Sequence, residues 1–385
     1  MKMSREKRDL GPGRDGGAQV VVRDLQRVFG GDDGEHRADD LRTPGNFLRW
    51  LERGAYTAAR LGVTATDDGT GKVLDLQHHI PLWPKHSIRL VNSLAILFPE
   101  AVPRHLDREE AASFGAEVDA AVRANLSRAL QSYNPAKGGK TETEEVTMVT
   151  IAVRPRPRLQ SSSERDERDE RDDRPAPLSV AVHLCSTPLN RMVPIDLLLR
   201  TCQRKQPRAK SCAWAADRLP LERDLKAAQE AGRDAGANFS EVLMAASDGR
   251  LLEGMRSSFF VVRALEAHER RGGGGAGETA ATPGICLQTC PVSSGILPGI
   301  IRQLVIELAR DKEICTKVED LALSDSSLWE EAFVTSGVKF LQPVRRIASR
   351  PSGGSSIRIE KEFHHASGPI TTRIMEEIER LVSTA

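Results

Sequence analysis

The chain has 385 residues, with 55 Lys plus Arg against 54 Asp plus Glu, and 39% of its residues are hydrophobic. The length predicts two or three domains, and a hydrophobic share below the usual ~45–50% predicts that some segments are disordered. The near-neutral charge argues against a dedicated nucleic-acid-binding protein, because binding to phosphates needs a cationic surplus. The longest apolar runs fall short of the roughly 20 residues of a membrane span, so the sequence predicts a soluble protein.

The first residues carry basic side chains without an apolar stretch after them, which argues against secretion. We therefore expect a cytoplasmic protein, with a plastid or mitochondrion left open. Six cysteines are scattered along a chain that is too large to need disulfides, so reduced thiols are expected. Cys286 and Cys290 are close in sequence, but no second pair or histidine cluster accompanies them, so they predict no metal site.

The chain begins with residues 1–44, rich in Gly, Asp and Arg, which predict a disordered N-terminal extension. A small α/β domain is predicted to follow over 45–194. Within it, the proline-flanked block of alternating charge at 155–177 predicts a disordered insertion. The elements predicted there are, in chain order, a hairpin formed by GAYTAARLGV (54–63) and VLDL, helices at 87–98 and 108–131, and strands at 146–154 and 178–184.

A larger α/β domain is predicted over 195–385. The Gly-rich stretch 268–284 follows no strand-to-helix fingerprint, so it predicts a flexible loop and not a phosphate cradle. The predicted elements are a helix at 221–236, a strand at 240–246, a turn at 247–250, a strand at 258–265, a strand at GICLQT, a helix in GILPGIIRQLVIELARDKEI, a helix end, strand and turn over 328–344, and a final helix at ITTRIMEEIERLV.

Four separated segments are informative in combination and order: AKSCAWAADRLPLERDLKAAQEAG, SEVLMAASDGRLLEGMRSSFFVV, CPVSSGILPGIIRQLVIELAR and EEAFVTSGVKFLQPV. With them the chain resembles the class IV aminotransferases, the fold-type IV pyridoxal-phosphate enzymes, over about residues 48–380. GAYTAAR and LWEEAFVTSG most resemble the plant and algal branch labelled D-amino-acid-aminotransferase-like. The resemblance implies a two-domain α/β architecture, the cofactor pyridoxal 5′-phosphate at the domain interface, and a homodimer.

The resemblance gives Lys210 and Glu253 the central roles. In this family a lysine bonds covalently to the cofactor aldehyde and carries a proton to and from the substrate Cα. Lys210 has the family's spacing to the next helix, which Lys205 lacks, although without the family Lys210 would be interpreted as a solvated lysine in RKQPRAK. Glu253 matches the carboxylate that keeps the cofactor's pyridine nitrogen protonated, although a Glu-Gly pair also suits an exposed hairpin. Ser258 replaces the family's usual Asn.

Two further segments match the family's phosphate site. Backbone amides at a helix N-terminus bind phosphate, and SSGILPGIIRQL offers them. Gly299 allows close backbone approach, and Ile300 and Ile301 supply amides in the first helical turn. Thr335 and Ser336 resemble the second phosphate-side loop. Ordinary turns remain the alternative interpretation of both segments.

The resemblance also implies substrate contacts. Arg60 stands where relatives place an arginine near the substrate carboxylate, and Tyr56 is expected to line the same pocket, with a core position as the alternative. Gly337 and Val338 are expected beside the substrate as well.

The family's H-x-x-R-L signature, whose arginine grips the cofactor phosphate, is sought in QHHIPLWPKHSIRL. With His79 as its histidine, Leu82 occupies the arginine position. One lost charge-assisted contact predicts a cofactor affinity lower by roughly tenfold to a hundredfold. Lys85 or Arg89 is a candidate to compensate.

The sequence therefore supports three interpretations. The first is a pyridoxal-phosphate-dependent aminotransferase that moves an amino group between a branched-chain or D-amino acid and a 2-oxo acid. The second is a lyase of the aminodeoxychorismate-lyase type. The third, motivated by Leu82, Ala213, Ala215 and Ser258, is a catalytically silent family member with a binding role.

Overall fold

The computed structural model describes residues 19–21, 41–62, 74–102, 107–133, 145–156, 177–189, 193–233, 236–265, 284–350, 357–364 and 367–383. The chain divides into two compact units, Met1–Leu189 with Ser211–Ala215, and Asn190–Lys210 with Ala216–Ala385. Most of the predicted charged insertion and of the predicted Gly-rich loop lies outside the described residues. Among the described helices, none is both long and apolar enough to cross a membrane.

The first unit contains a four-stranded antiparallel sheet in the order β1-β4-β3-β2. Helix periodicity in the sequence predicted its two long helices, which are confirmed. Its elements are β1 (Gln19–Val21), α1 (Pro44–Leu51), β2 (Ala55–Arg60), α2 (Leu76–His79), α3 (Trp83–Leu97), α4 (Arg108–Ser132), β3 (Glu145–Pro155) and β4 (Leu178–Pro188).

One local prediction for this unit is wrong. The hairpin between GAYTAARLGV and VLDL does not form, because β2 pairs with β3 instead, with Tyr56 opposite Ala152. The last residue of VLDL starts α2, where the Asp75 side chain caps the helix by accepting from the Gln77 amide at 3.0 Å. Of residues 1–40 in the predicted extension, the structure describes Gln19–Val21, which form β1 and pair with β4.

The sheet of the first unit buries both of its faces. Helices α3 and α4 pack against one face, where Ala55 and Ala59 of β2 meet Leu90 and Leu94 of α3. Helix α1 packs against the other face, where Phe47 contributes to a cluster that contains Tyr56 and Ala152. Because successive side chains of a strand point to opposite faces of the sheet, alternate residues of β2 lie in two separate apolar clusters.

The second unit is built on a ten-stranded mixed sheet. The strand order is β10-β9-β8-β12-β13-β5-β6-β7-β11, and β14 pairs with β13. After β5 (Ile195–Thr201) and α5 (Trp214–Asp217), the remaining elements are α6 (Leu219–Gly232), β6 (Phe239–Ala245), β7 (Arg250–Gly254), β8 (Ser258–Ala264), β9 (Ile285–Thr289), α7 (Ile300–Asp311), β10 (Thr316–Val318), β11 (Leu321–Ala322), β12 (Trp329–Ser336), β13 (Phe340–Ser349), β14 (Arg358–Glu362) and α8 (Pro369–Ser383).

Two central strands of this sheet were not predicted. Strand β5 is a run of apolar residues without alternation, and it is buried between the parallel neighbours β13 and β6. Strand β13 follows a tight connection at which Phe340 takes a left-handed backbone with φ of 60°. Together the two sheets and their helices confirm the predicted α/β class.

Candidate active site

Arg204 and Glu253 form a buried ion pair in the second unit. Arg204 Nε donates to Glu253 Oε1 at 2.6 Å, and the two side chains are 4% and 3% exposed. Arg204 also donates through Nη2 to the Met255 carbonyl at 3.1 Å. The pair therefore joins the segment that leads to Lys210 with strand β7, which carries Glu253.

The second carboxylate oxygen of Glu253 faces the loop before α7. Leu297 N donates to Glu253 Oε2 at 3.2 Å. Burial raises the pKa of Glu253 above its usual range, and Arg204, the Leu297 amide and the charge of Lys210 oppose that rise. Because each carboxylate oxygen has two lone pairs, these bonds leave Glu253 able to accept one more proton donor.

The two candidate lysines differ in their surroundings. Lys205 is 80% exposed in its side chain and pairs with Asp217 at 2.7 Å. Lys210 is half-buried and close enough to Glu253 for its charge to lower the pKa of that carboxyl. The structure thus separates a solvated lysine, Lys205, from a lysine that lies near a buried carboxylate.

Glu241 fixes the turn that connects Glu253 to Ser258. Its Oε2 accepts from Arg256 N and from Ser257 Oγ, both at 3.2 Å. Gly254 at this turn has no room for a Cβ, because that atom would collide with the Ser257 hydroxyl. The turn therefore fixes β7 relative to β8, and with them the side chains of Glu253 and Ser258.

Ser258 neighbours both Thr335 and Gly299. Ser258 on β8 lies directly opposite Thr335 on β12. A Cβ placed on Gly299 would lie 2.6 Å from Ser258 Oγ. Thr335 is 3% exposed, and its Oγ1 has no hydrogen-bond partner in the described part of the chain. A buried hydroxyl without a partner next to a space that only glycine leaves open is suited to bind a polar group from outside the chain.

Helix α7 adds positive potential near Gly299. It starts at Ile300 with Gly299 as its N-cap, and no side chain caps its first amides. The guanidinium of Arg302 in the same turn is 4% exposed and donates to the Cys290 carbonyl at 2.7 Å. Burial lowers the pKa of Arg302, while Cys290 and Glu253 oppose that change. Free first-turn amides, the helix dipole and hydroxyl groups fit a phosphate group.

The end of β12 and its connection to β13 contain three of the predicted residues, Ser336, Gly337 and Val338. Ser336 Oγ accepts from the Lys339 amide at 3.2 Å, so this hydroxyl holds the connection between β12 and β13. Gly337 and Val338 lie in the same connection and are half-buried. Ile301 packs its side chain into the core at 2% exposure and offers only its backbone. In the strand pairing, Thr335 lies opposite Ser258, whereas Ser336 lies opposite Phe340.

The predicted substrate residues of the first unit lie on one strand. Tyr56 and Arg60 share a face of β2, and Tyr56 is 5% exposed in the apolar cluster with Phe47, Leu48 and Leu51. Arg60 is half-buried. The packing of Tyr56 agrees with the alternative of a core position.

Strand β2 and helix α3 also hold a polar group that the sequence analysis did not assign. Arg89 Nη2 donates to Thr57 Oγ1 at 2.7 Å, and His86 Nδ1 lies 2.5 Å from the same hydroxyl. Thr57 and His86 are fully buried, at 0% and 1% exposure. His86 and Arg89 are one helical turn apart, on the side of α3 that faces β2.

These residues reproduce the signature sought in the sequence. His86 and Arg89, with Leu90 after them, have the spacing H-x-x-R-L in KHSIRL. Leu82 was placed at the arginine position by taking His79 as the histidine of the signature. In the structure Leu82 is the N-cap of α3 and has a left-handed backbone with φ of 60°. We therefore realign the signature to His86–Leu90, which retains its arginine as Arg89. Pro84, a residue that favours the first turn of a helix, is the sequence signal that places His86 and Arg89 on α3.

One family model identifies the family of the chain. The family model of amino-transferase class IV matches residues 71–347. A hypothetical aminotransferase from Mycobacterium tuberculosis in its apo form is a similar solved structure, with 16% identity, coverage of 96% of this chain and 99% of that chain, and a TM-score of 0.50. No curated protein matches the chain.

Two other similar structures have lower TM-scores. The branched-chain aminotransferase from Thermoproteus uzoniensis with norvaline has 19% identity, coverage of 86% of each chain and a TM-score of 0.45. A putative 4-amino-4-deoxychorismate lyase from Legionella pneumophila has 14% identity, coverage of 91% of this chain and 96% of that chain, and a TM-score of 0.48. At such identities a structural likeness concerns the fold alone.

Proposed function

Because the chain belongs to the amino-transferase class IV family, we propose that it transfers an amino group between an amino acid and a 2-oxo acid. The family resemblance found in the sequence is confirmed, and with it the dependence on pyridoxal phosphate. Membership makes the chain a pyridoxal-phosphate-dependent transaminase or lyase. Its placement in the plant and algal branch stays a prediction.

One observation carries the proposal: the buried carboxylate of Glu253 bonds to the loop that leads into α7, the helix whose first turn has the features of a phosphate site. Lys210, the Glu253 carboxylate and the candidate phosphate site at the start of α7 thus all belong to the second unit. Such a combination suits a cofactor that has a basic ring nitrogen at one end and a phosphate at the other.

The residues of the second unit would hold the cofactor as follows. When bound, pyridoxal phosphate supplies an aldehyde for the amino group and a conjugated ring that accepts the electron pair released at the substrate Cα. Lys210 would hold the aldehyde end of the cofactor through Nζ and would move the proton at the substrate Cα. Glu253 would hold the ring-nitrogen end. The amides of Ile300 and Ile301, with the hydroxyls of Ser258 and Thr335, would hold the phosphate.

Arg204 supports the role of Glu253. A carboxylate that is buried alone would take up a proton, since desolvation disfavours its charged form. The guanidinium at 2.6 Å and the Leu297 amide favour the ionised form. These contacts favour the anionic form of Glu253, the form that a partner for a protonated ring nitrogen requires.

Arg89 is proposed in the role that the family gives to the arginine of its signature, contact with the cofactor phosphate. The support is the spacing of His86, Arg89 and Leu90 and the fixed position of Arg89 against Thr57. On this proposal the chain has not lost the charge-assisted phosphate contact.

The substrate side of the proposal rests on the family resemblance. Arg60 and Tyr56, with Gly337 and Val338, are proposed to contact an amino acid of the branched-chain or D-class and its 2-oxo acid partner. Ser336 and Gly299 are proposed as further members of the phosphate loop. We also propose a homodimer, which the family resemblance favours, and a cytoplasmic location.

A panel of L- and D-amino acids, each with a 2-oxo acid acceptor, tests the function. We expect amino transfer by the native enzyme, no transfer by Lys210→Ala, and retained transfer by the matched control Lys205→Ala. Release of pyruvate from an amino substrate without an acceptor would establish the lyase instead. A folded protein that neither transfers nor eliminates with any member of the panel would contradict the proposed function.

A further inference from the structure

Cys286 and Cys315 lie side by side at the edge of the large sheet. Strands β9 and β10 are parallel, with Thr316 opposite Leu287. Leu287 N donates to the Cys315 carbonyl at 2.8 Å. Extending this register by one residue places Cys315 beside Cys286, whose thiol donates to the Leu287 carbonyl at 3.6 Å. Adjacent residues on paired strands have the Cα separation that a disulfide requires, roughly 4.4–6.8 Å.

The two thiols differ in their access to solvent. Cys315 is exposed, whereas Cys286 is fully buried at 0% exposure. Burial, and after it the neighbouring Cys315 side chain, raise the pKa of Cys286, while Lys317 and Arg263 oppose that rise. An oxidant in solution therefore meets Cys315 first, and Cys286 is positioned to react with Cys315 from the inside.

We propose that Cys286 and Cys315 form a redox modification site, which a small disulfide such as glutathione disulfide converts into an intramolecular disulfide. The Cys315 thiolate attacks one sulfur of glutathione disulfide, and the first glutathione leaves as its thiolate. The Cys286 thiolate then attacks the Cys315 sulfur and releases the second glutathione. The two thiols of the protein lose two electrons and two protons, and one glutathione disulfide becomes two molecules of reduced glutathione.

The location predicts what the link would do. The two cysteines bracket residues 287–314, a segment that contains the whole of α7. Cys315 follows the C-terminal end of α7, while Gly299 stands at the other end of this 12-residue helix, a distance of about 18 Å at 1.5 Å per residue. The disulfide would therefore fix this segment near the C-terminal end of α7, remote from Gly299. Its formation does not depend on the proposed function.

The test uses the full chain, incubated with a series of ratios of oxidised to reduced glutathione and then blocked with an alkylating agent. Peptide mapping without reduction should find one cross-linked species that joins the peptides of Cys286 and Cys315, lighter than their sum by two hydrogen atoms. Dithiothreitol should reverse it. Cys315→Ser should abolish the cross-link, and since Cys315 is exposed this variant should fold.

Cys202→Ser is the matched control, because Cys202 is half-buried in the same unit and its thiol donates to the Gln203 carbonyl. This variant should form the same cross-link as the native chain. A glutathione that remains on Cys315 as a stable mixed disulfide would overturn the proposal. So would a cross-link that survives in Cys315→Ser, or the absence of any cross-link at ratios that oxidise a reference dithiol.

Discussion

Replacement of Gly299 by alanine tests the proposed phosphate site through a single added methyl group. Gly299 has φ of −69° and ψ of 134°, a conformation that alanine adopts without backbone strain. The new Cβ would lie 2.6 Å from Ser258 Oγ and 3.2 Å from the Arg302 Cβ. Either the Ser258 hydroxyl or the start of α7 must therefore move, and the methyl group also fills the space beside the first-turn amides.

The expected loss follows from the bonds at stake. A hydrogen bond to a charged phosphate contributes about 1.5–3 kcal/mol, so loss of one such bond raises the cofactor Kd by roughly 10- to 150-fold. Overpacking should lower the free energy of unfolding of the apoprotein by about 1–3 kcal/mol. Absorbance titration of the apoprotein with pyridoxal phosphate measures the first quantity, and urea unfolding measures the second.

Two further variants sharpen this prediction. In a Ser258→Ala background the clashing oxygen is gone, so Gly299→Ala should cost less cofactor affinity than it does in the native chain. Gly115→Ala is the control, because a Cβ on Gly115 in α4 meets nothing within 4 Å and should leave cofactor affinity unchanged. A folded Gly299→Ala protein with the native cofactor Kd would refute the reasoning.

Three other predictions concern the alignment of the signature, the response to acid and the start of α8. Arg89→Leu should raise the cofactor Kd by about tenfold to a hundredfold, whereas Leu82→Arg should not lower it; the opposite pattern in an absorbance titration would restore the earlier alignment. Burial lowers the pKa of His183 to about 4, whereas in the unfolded chain this pKa is about 6.5. As the pH falls from 6.5 toward 4, the unfolded chain therefore takes up a proton that the folded chain does not. The free energy of unfolding should fall by up to about 3 kcal/mol over this range. Urea unfolding at both pH values should show a smaller fall for His183→Gln, and an equal fall would contradict this cause. Gly368→Ala should lower the free energy of unfolding by about 1–3 kcal/mol, because its Cβ would collide with the Glu331 carboxylate that caps α8; an unchanged urea midpoint would argue against the cap.

The sequence predicted the helices better than the strand pairing. The predicted helix at 108–131 is found as α4, since its apolar residues recur at helical spacing and Asp107 with Glu110 forms a capping box. Strand β5 was not predicted, because a short apolar run without alternation does not distinguish a buried strand from a helix. The partner of β2 was predicted wrongly, since the true partner β3 is remote in the sequence.

The candidate site shows the same limit. Arg204 lies in the basic run RKQPRAK, where composition favours a solvated side chain, yet it pairs with the buried carboxylate of Glu253. The contact between Ser258 and Thr335 depends on the pairing of β8 with β12. Neither contact has a local signal, because each arises from segments that are distant in the chain.

The most direct test of the account is reduction of the holoenzyme with borohydride, followed by mapping of the modified peptide. The account predicts one covalently modified residue, Lys210, with loss of the modification in Lys210→Ala and its retention in Lys205→Ala. Modification of Lys205 or of several exposed lysines, with Lys210 untouched, would contradict the assignment of the site.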